Sequence, residues 1–287
     1  TIATIHNFRY LCSAGTMSRK GSFCDLCPTR TSFNAVIHSC YRNSATQTVP
    51  LAISTSGRGN PLLERVNGLL FLAEESAEVF RRYSPQVEKK KTAVIPNFAV
   101  TRPTNGPEGS QTPELPWLFI GRLSKEKGIL QLLENWPVGQ RLVVLGSGPL
   151  EAPARQLAAG KSISFHGAVG PEAVAWWLQK SKGLIFPSLW MEGLPLVFLE
   201  ALSASRPIIA KSGTVPARII VEQGCGVVIE SFEQLTNALS HTEKNFIQFS
   251  KKAKETHHRL FSESTWVRQV MSFYSEFVNE TGDHAKV

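Results

Sequence analysis

Aspartate is almost missing from this chain. It occurs twice in 287 residues, at Asp25 and Asp283, far apart in sequence. That scarcity excludes an Asp-x-Asp metal clamp. If a diphosphate leaves here, cationic side chains and helix dipoles must stabilise it in place of Mg²⁺. Long apolar runs are also lacking: none approaches the roughly 18 residues that mark a membrane-spanning helix. Thr1–Ile5 has neither the basic flank nor the length of a signal peptide, so it reads as a strand entered midway. Without a secretion signal, a disulfide framework is not expected. No basic segment carries interleaved aromatics or a known reader motif, which argues against nucleic acid as a partner.

Positive charge, by contrast, is plentiful. The formal net charge is +8, with knots at Arg81-Arg82, Lys89-Lys90-Lys91 and Lys251-Lys252-Ala-Lys254. Each knot alone reads as a solvated helix face. Their sum suits an anionic membrane surface or phosphorylated substrates. Four of the five cysteines fall early, in the spacing Cys12-x11-Cys24-x2-Cys27-x12-Cys40. One Cys-x2-Cys knuckle is present and a matching second pair is not. Two readings stay open: a structural zinc held by four thiolates, or plain reduced cysteines.

Along the chain, a strand at Ile2–Ile5 precedes a long, irregular Cys/Ser/Thr/Arg-rich excursion to about Asn60. A strand near Gly68–Leu72, a helix over Glu75–Tyr83 and a strand at Thr92–Ile95 follow. Ala99–Pro116 holds five prolines or glycines before Glu114 and no apolar periodicity, and reads as a linker. Beyond it, short apolar runs alternate with helical patterns up to His241, which specifies a parallel sheet covered on both faces. Such sheets bind ligands at the carboxyl ends of their strands. Residues from Phe246 to about Asn279 read as two amphipathic helices. The expected domains are therefore 1–98, a linker 99–116, 117–245, and closing helices 246–287.

The motifs fall at those carboxyl ends. Gly121-Arg122-Leu-Ser-Lys-Glu-Lys127-Gly128 follows the strand ending at Ile120. Gly121 permits a sharp turn, while Arg122 and Lys127 suit a phosphate, the first by paired bonds and the second as a point charge. A solvated basic turn is the plainer alternative. Gly146-Ser-Gly148-Pro follows the next strand and Gly167 the one after, each weak alone. The run Phe186-Pro-Ser-Leu-Trp-Met-Glu192-Gly-Leu-Pro195-Leu-Val-Phe-Leu-Glu200-Ala then sets two carboxylates with seven residues between them. Pro195 is expected to be the first residue of a helix, which puts Glu192 in the loop and Glu200 about a turn and a half inside. A helix amino terminus attracts anions, so carboxylates beside it suit the neutral hydroxyls of a phosphorylated ligand. Glu200 also lies within an apolar run, where a charge is costly unless satisfied. The site reads as one for a sugar phosphate or nucleotide.

Taken in order, Gly-Arg-x4-Lys-Gly, Gly-x-Gly-Pro, Phe-x-Gly and Pro-Ser-x3-Glu-Gly-x-Pro-x4-Glu-Ala resemble the retaining family-4 glycosyltransferases of the GT-B fold, over about residues 66–240. Ile95-Pro96-Asn97 is similar to that family's interdomain strand, with Phe98 where glycine is usual. Thr4-Ile5-His6-Asn7 is similar to the start seen in a bacterial branch making surface polysaccharides. The resemblance implies an α/β architecture of two Rossmann-like domains, the first incomplete, so that the chain is expected to be an amino-terminally truncated fragment. It implies that Arg122 and Lys127 hold a diphosphate at the turns of Gly121, Gly146, Gly148 and Gly167. Glu200 would bind the ribose. Glu192 would meet the donor sugar's hydroxyls, with the backbone N–H groups of Gly193, Leu194 and Leu196 nearby and His6 lining the sugar pocket. The donor would be a UDP- or GDP-sugar and catalysis would need no cofactor. The acceptor would be a glycan or lipid-linked glycan of lipopolysaccharide, capsule or exopolysaccharide, handled in the cytoplasm at the inner face of the membrane. The alternatives are a catalytically silent nucleotide-sugar binder and a GT-B phosphorylase or epimerase; for the phosphorylase no lysine motif for pyridoxal phosphate is present.

Overall fold

The computed structural model describes residues 1–19, 22–55, 61–100, 115–190 and 193–283. It divides into two compact units, Thr1–Pro96 with Arg268–Val287, and Asn97–Val267. Of the linker expected at 99–116, residues 101–114 lie outside the described residues.

The first unit is built on three parallel strands in the order β1 (Ile2–Ile5), β4 (Gly68–Phe71), β5 (Lys91–Val94); a two-stranded hairpin, β2 (Ser18–Arg19) and β3 (Ser22–Phe23), stands apart. β4 is buried throughout its length, as the central strand of a covered parallel sheet must be. Its Phe71 meets Phe80 of the helix Glu74–Tyr83 at 5.4 Å between ring centroids, and Phe8 stacks on the same ring at 6.1 Å. Gly68 is a close approach: a Cβ there would stand 2.5 Å from the ring of Phe277.

The excursion expected to be irregular is not. It contains the hairpin and the helices Leu26–Thr29, Phe33–Ile37 and Ala45–Ser54. Pro50 sits inside the last of these and reads locally as a breaker. Tertiary packing overrides it, because the helix buries Thr48 and Ala52, and Ser44 caps it by accepting the Gln47 N–H.

The second unit carries a six-stranded, wholly parallel sheet: β6 (Trp117–Ile120), β7 (Leu142–Leu145), β8 (Ile163–Phe165), β9 (Gly183–Phe186), β10 (Ile208–Lys211) and β11 (Gly226–Ile229). Across the sheet the order is β11-β10-β9-β6-β7-β8. Trp117, Phe119, Leu142, Val144, Ile185 and Ile209 form one core with Leu132, Leu133 and Leu239 from the covering helices. Among the described residues no helix is long and apolar enough to cross a membrane.

Three contacts anchor the start of this unit to its last helices. Phe98, where the resembling family favours glycine, packs its ring on Trp266 at 5.1 Å. One residue on, the Ala99 carbonyl meets His257 Nε2 at 2.8 Å and the Ala99 N–H donates to the Phe261 carbonyl at 3.3 Å. Burial lowers the His257 pKa; the Ala99 bond opposes this and His258 adds to it. The folded value lies below the unfolded one of about 6.5, so the unfolded chain protonates first as the pH falls. The stability contributed by the neutral ring is present above about pH 6.5 and is lost as pH falls through the folded value. Thermal unfolding of His257→Gln should accordingly lose less stability between pH 7 and pH 5 than the parent chain does. Equal losses would dismiss this residue as a source of acid sensitivity.

Candidate functional site

The strand order places a reversal in the middle of the second unit. From β6 the chain steps outward through β7 to β8, then returns to the other side of β6 with β9 and moves outward through β10 to β11. Connections therefore diverge at the carboxyl ends of β6 and β9, the kind of point at which such sheets bind ligands. Arg122 and Lys127 of the first motif, and the loop carrying the carboxylate motif, issue from these two strands.

The two loops are locked together. Gly128, at φ +66°, sits so close to the second loop that a Cβ would stand 2.1 Å from the Pro187 carbonyl oxygen. The Glu126 carbonyl accepts the Leu189 N–H at 2.9 Å and the buried Ser188 hydroxyl at 3.2 Å. Sequence spacing could not reveal this role of Glu126, since its backbone does the holding. A second set of contacts joins the turns after β6, β7 and β8. A Cβ on Gly146 would lie 1.9 Å from the Gly121 oxygen, and one on Gly148 would lie 2.4 Å from the Leu123 oxygen. The Gly146 N–H donates to the Gly167 carbonyl at 2.6 Å, and the Leu123 N–H to the Ser147 carbonyl at 3.0 Å. The four glycines expected at the site thus form one tightly stitched rim.

Arg122 emerges from this rim exposed, between half-buried Gly121 and buried Leu123. Lys127 is half-buried in the short 3₁₀ turn Lys125–Lys127 that Gly128 terminates. The helix Leu196–Ser203 begins just beyond the second loop. Pro195 is its cap and not its first helical residue: its backbone is extended, at φ −68° and ψ 138°, and its carbonyl accepts the Phe198 N–H at 3.1 Å. A cap needs no helical ψ, so the ring's fixed φ serves there equally well.

Glu200 lies in this helix, half-buried between Leu199 and Ala201, which are fully buried. It borders a crevice of about 20 Å³ shared with Ala175, Leu178, Gln179 and Val100. Gly193 is half-buried, Leu194 buried, and Leu196 exposed at the helix start. Glu192 lies outside the described residues. His6 follows β1 directly in the other unit, exposed and without a hydrogen bond among the described residues.

All five cysteines are free thiols. Among the described residues no three His, Cys, Asp or Glu side chains stand ready to hold a metal ion. The early four are nevertheless neighbours in space. Cys27 has its pKa raised to about 11, first by burial and then by the charges of Cys12, Cys40 and Cys24, against a hydrogen bond from the Ala35 backbone. Cys40 is raised too, by burial and then by Cys12 and Cys24, with Arg19 opposing.

Comparison with known proteins accords with this geometry. Residues 106–258 match the family described as glycosyl transferases group 1. The O-antigen chain mannosyltransferase C of Escherichia coli is 25% identical over 170 residues, which is 55% of this chain and 46% of that protein. The chain spans less than half the length of the curated relatives it matches. Among solved structures, sucrose-phosphate synthase from Thermosynechococcus elongatus superposes with a TM-score of 0.70 at 16% identity, over 97% of this chain and 68% of its own. Anabaena Alr3699/HepE in complex with UDP and glucose gives 0.65 at 15% identity, over 96% of this chain and 71% of its own. The family match takes in more than half of the sequence, and the chain belongs to the glycosyl transferases group 1 family, with the GT-B fold.

Proposed function

We propose that this chain is a retaining glycosyltransferase that takes a sugar from a UDP- or GDP-sugar and passes it to a cell-surface glycan or its lipid-linked precursor. One observation supports the reading: the turn that bears Arg122 and Lys127 is interlocked, at the β6/β9 reversal, with the loop that leads towards the helix Leu196–Ser203. In this reading the donor diphosphate lies at the glycine rim. Arg122 bonds it in pairs, Lys127 adds a point charge, and the first-turn amides of the helix add their dipole. Glu200 takes the ribose hydroxyls, and Glu192 and His6 take those of the sugar by motif alone. The bond from the anomeric carbon to the diphosphate breaks while the acceptor oxygen bonds to that carbon from the same face. The acceptor's proton passes to a phosphate oxygen of the leaving group. The charge developing on that group is met by the cations, with no metal step.

The similarity to the O-antigen mannosyltransferase of E. coli and to the Anabaena protein solved with UDP and glucose supports a polysaccharide acceptor and a uridine donor respectively. The chain's basic surplus supports work against an anionic membrane surface.

Calorimetry with a panel of UDP- and GDP-sugars tests the reading. One of them should bind, and Glu200→Ala should weaken it about tenfold to a hundredfold, as expected when one or two hydrogen bonds to a buried hydroxyl pair are lost. Unchanged affinity in that variant would refute the ribose role. Binding with neither transfer nor donor hydrolysis would mark the chain as a silent binder, and no binding by any nucleotide sugar would sink both readings.

A further inference from the structure

A cavity of about 610 Å³ opens in the first unit, and no residue of the proposed reaction borders it. Its volume falls within the roughly 300–1,000 Å³ typical of small-molecule sites. The helix Glu74–Tyr83 leaves the carboxyl end of β4 and runs back along the sheet, and the short helix Pro85–Glu88 then leads into β5. Tyr83, Ser84 and Pro85 in the cavity wall therefore stand towards the amino ends of the strands, while His6 follows the carboxyl end of β1. A further wall is the turn from Pro28 to Phe33. Asn34 holds that turn in shape, its side-chain amide donating to the Leu26 carbonyl at 3.2 Å and to the Thr31 carbonyl at 2.9 Å.

The lining converges on one ligand chemistry. Arg30 and Arg82 both border the cavity and are exposed, and two guanidinium forks suit an acid group bonded in pairs. The nearby Asp25 carboxylate is engaged, accepting the Tyr83 hydroxyl at 2.8 Å. Phe33, which is 57% exposed, joins Tyr10 and Tyr83 as aromatic residues of the wall. A saccharide ring offers such residues its C–H face and meets hydroxyls with its own. Thr29 and Thr55 spend their hydroxyl protons on the Asp25 and Leu51 carbonyls, at 2.6 and 3.0 Å, and so keep lone pairs for a sugar hydroxyl. Ser32 lines the cavity as well, is only 3% exposed, and its hydroxyl has no partner among the described residues. A buried hydroxyl in that condition is costly, and a ligand against this wall supplies the missing bond. We propose that this cavity binds an acidic saccharide unit, one bearing a carboxylate or a phosphate, at a site separate from that of the donor. The arginines take the acid group, the aromatic residues the ring face, and the serine and threonine hydroxyls those of the sugar. Such a unit comes either from a glycan chain or from a free sugar phosphate. Its binding needs no turnover, so the site stands whether or not the chain transfers a sugar.

Calorimetry on the full chain tests the assignment, with trigalacturonate for the glycan source and glucose 6-phosphate for the free one. At least one should bind about tenfold more tightly than neutral maltotriose or inorganic phosphate, and the tighter of the two identifies the source. Arg30→Ala and Arg82→Ala should each weaken that binding about tenfold or more, as loss of paired bonds to an acid requires. Arg122→Ala should leave it unchanged, which separates this site from the donor's. Labelling of the parent chain gives a reading that needs no variant to fold. Saturating acidic saccharide should slow the reaction of Cys27, which borders the cavity, with a maleimide severalfold, and should leave that of Cys24, outside the lining, unchanged. The proposal is overturned by no binding of either acid, by equal binding of maltotriose or inorganic phosphate, by an affinity that falls with Arg122→Ala and not with Arg30→Ala, or by an unprotected Cys27.

Discussion

Arg122→Ala should slow sugar transfer by about a hundredfold to a thousandfold while leaving thermal unfolding unchanged. Under the proposed mechanism, the rate loss follows from removing a hydrogen-bond donor that meets charge appearing only as the diphosphate departs. Unchanged unfolding follows from position, since the Arg122 side chain is exposed while its neighbour Leu123 supplies the packing. Arg122→Lys should recover part of the rate, because an ammonium supplies the charge and not the paired bonds. Initial rates of transfer or donor hydrolysis under saturating donor provide the comparison. A wild-type rate in Arg122→Ala would remove this residue from the chemistry.

Gly146→Ala should be the most damaging single substitution in the second unit, on the order of 3–5 kcal/mol of unfolding free energy. The added methyl carbon would lie 1.9 Å from the Gly121 carbonyl oxygen, at a backbone φ of +140° that side chains rarely adopt. Neither strand can recoil, since β6 and β7 pair along their whole length and both are buried. Gly139→Ala separates the two causes. It too has positive φ, at +86°, but a Cβ there meets nothing within 4 Å, so its cost should be only the left-handed strain of about 1–2 kcal/mol. Denaturant unfolding of both variants measures the difference. Equal losses would mean that the close approach of the two turns contributes nothing.

Much of this fold was legible because its sheet is buried on both faces. Runs such as Leu142–Leu145, Ile163–Phe165 and Gly183–Phe186 announce strands, and the helical patterns between them announce parallel pairing. The excursion after β1 was misread because its helices are four, five and ten residues long and one contains Pro50. The capping pair Ser44 and Gln47 was its one local signal. At the candidate site, the glycines, Arg122 and Lys127 were expected from residue type and spacing alone. The grip of the Glu126 carbonyl on Ser188 and Leu189 could not, since any residue has a carbonyl. The crevice beside Glu200 is likewise a product of how two helices meet, which no spacing within one helix records.

The stitched rim also makes distance a poor guide to influence. Gly167 follows the outermost strand, β8, yet its carbonyl accepts the Gly146 N–H, Gly146 abuts the Gly121 oxygen, and Gly121 carries Arg122 on the next peptide. Three turns are therefore joined by direct contacts. A change that tilts the end of β8 is felt two strands away at the guanidinium, so variation at that far edge becomes a means of adjusting the cation's aim without replacing it.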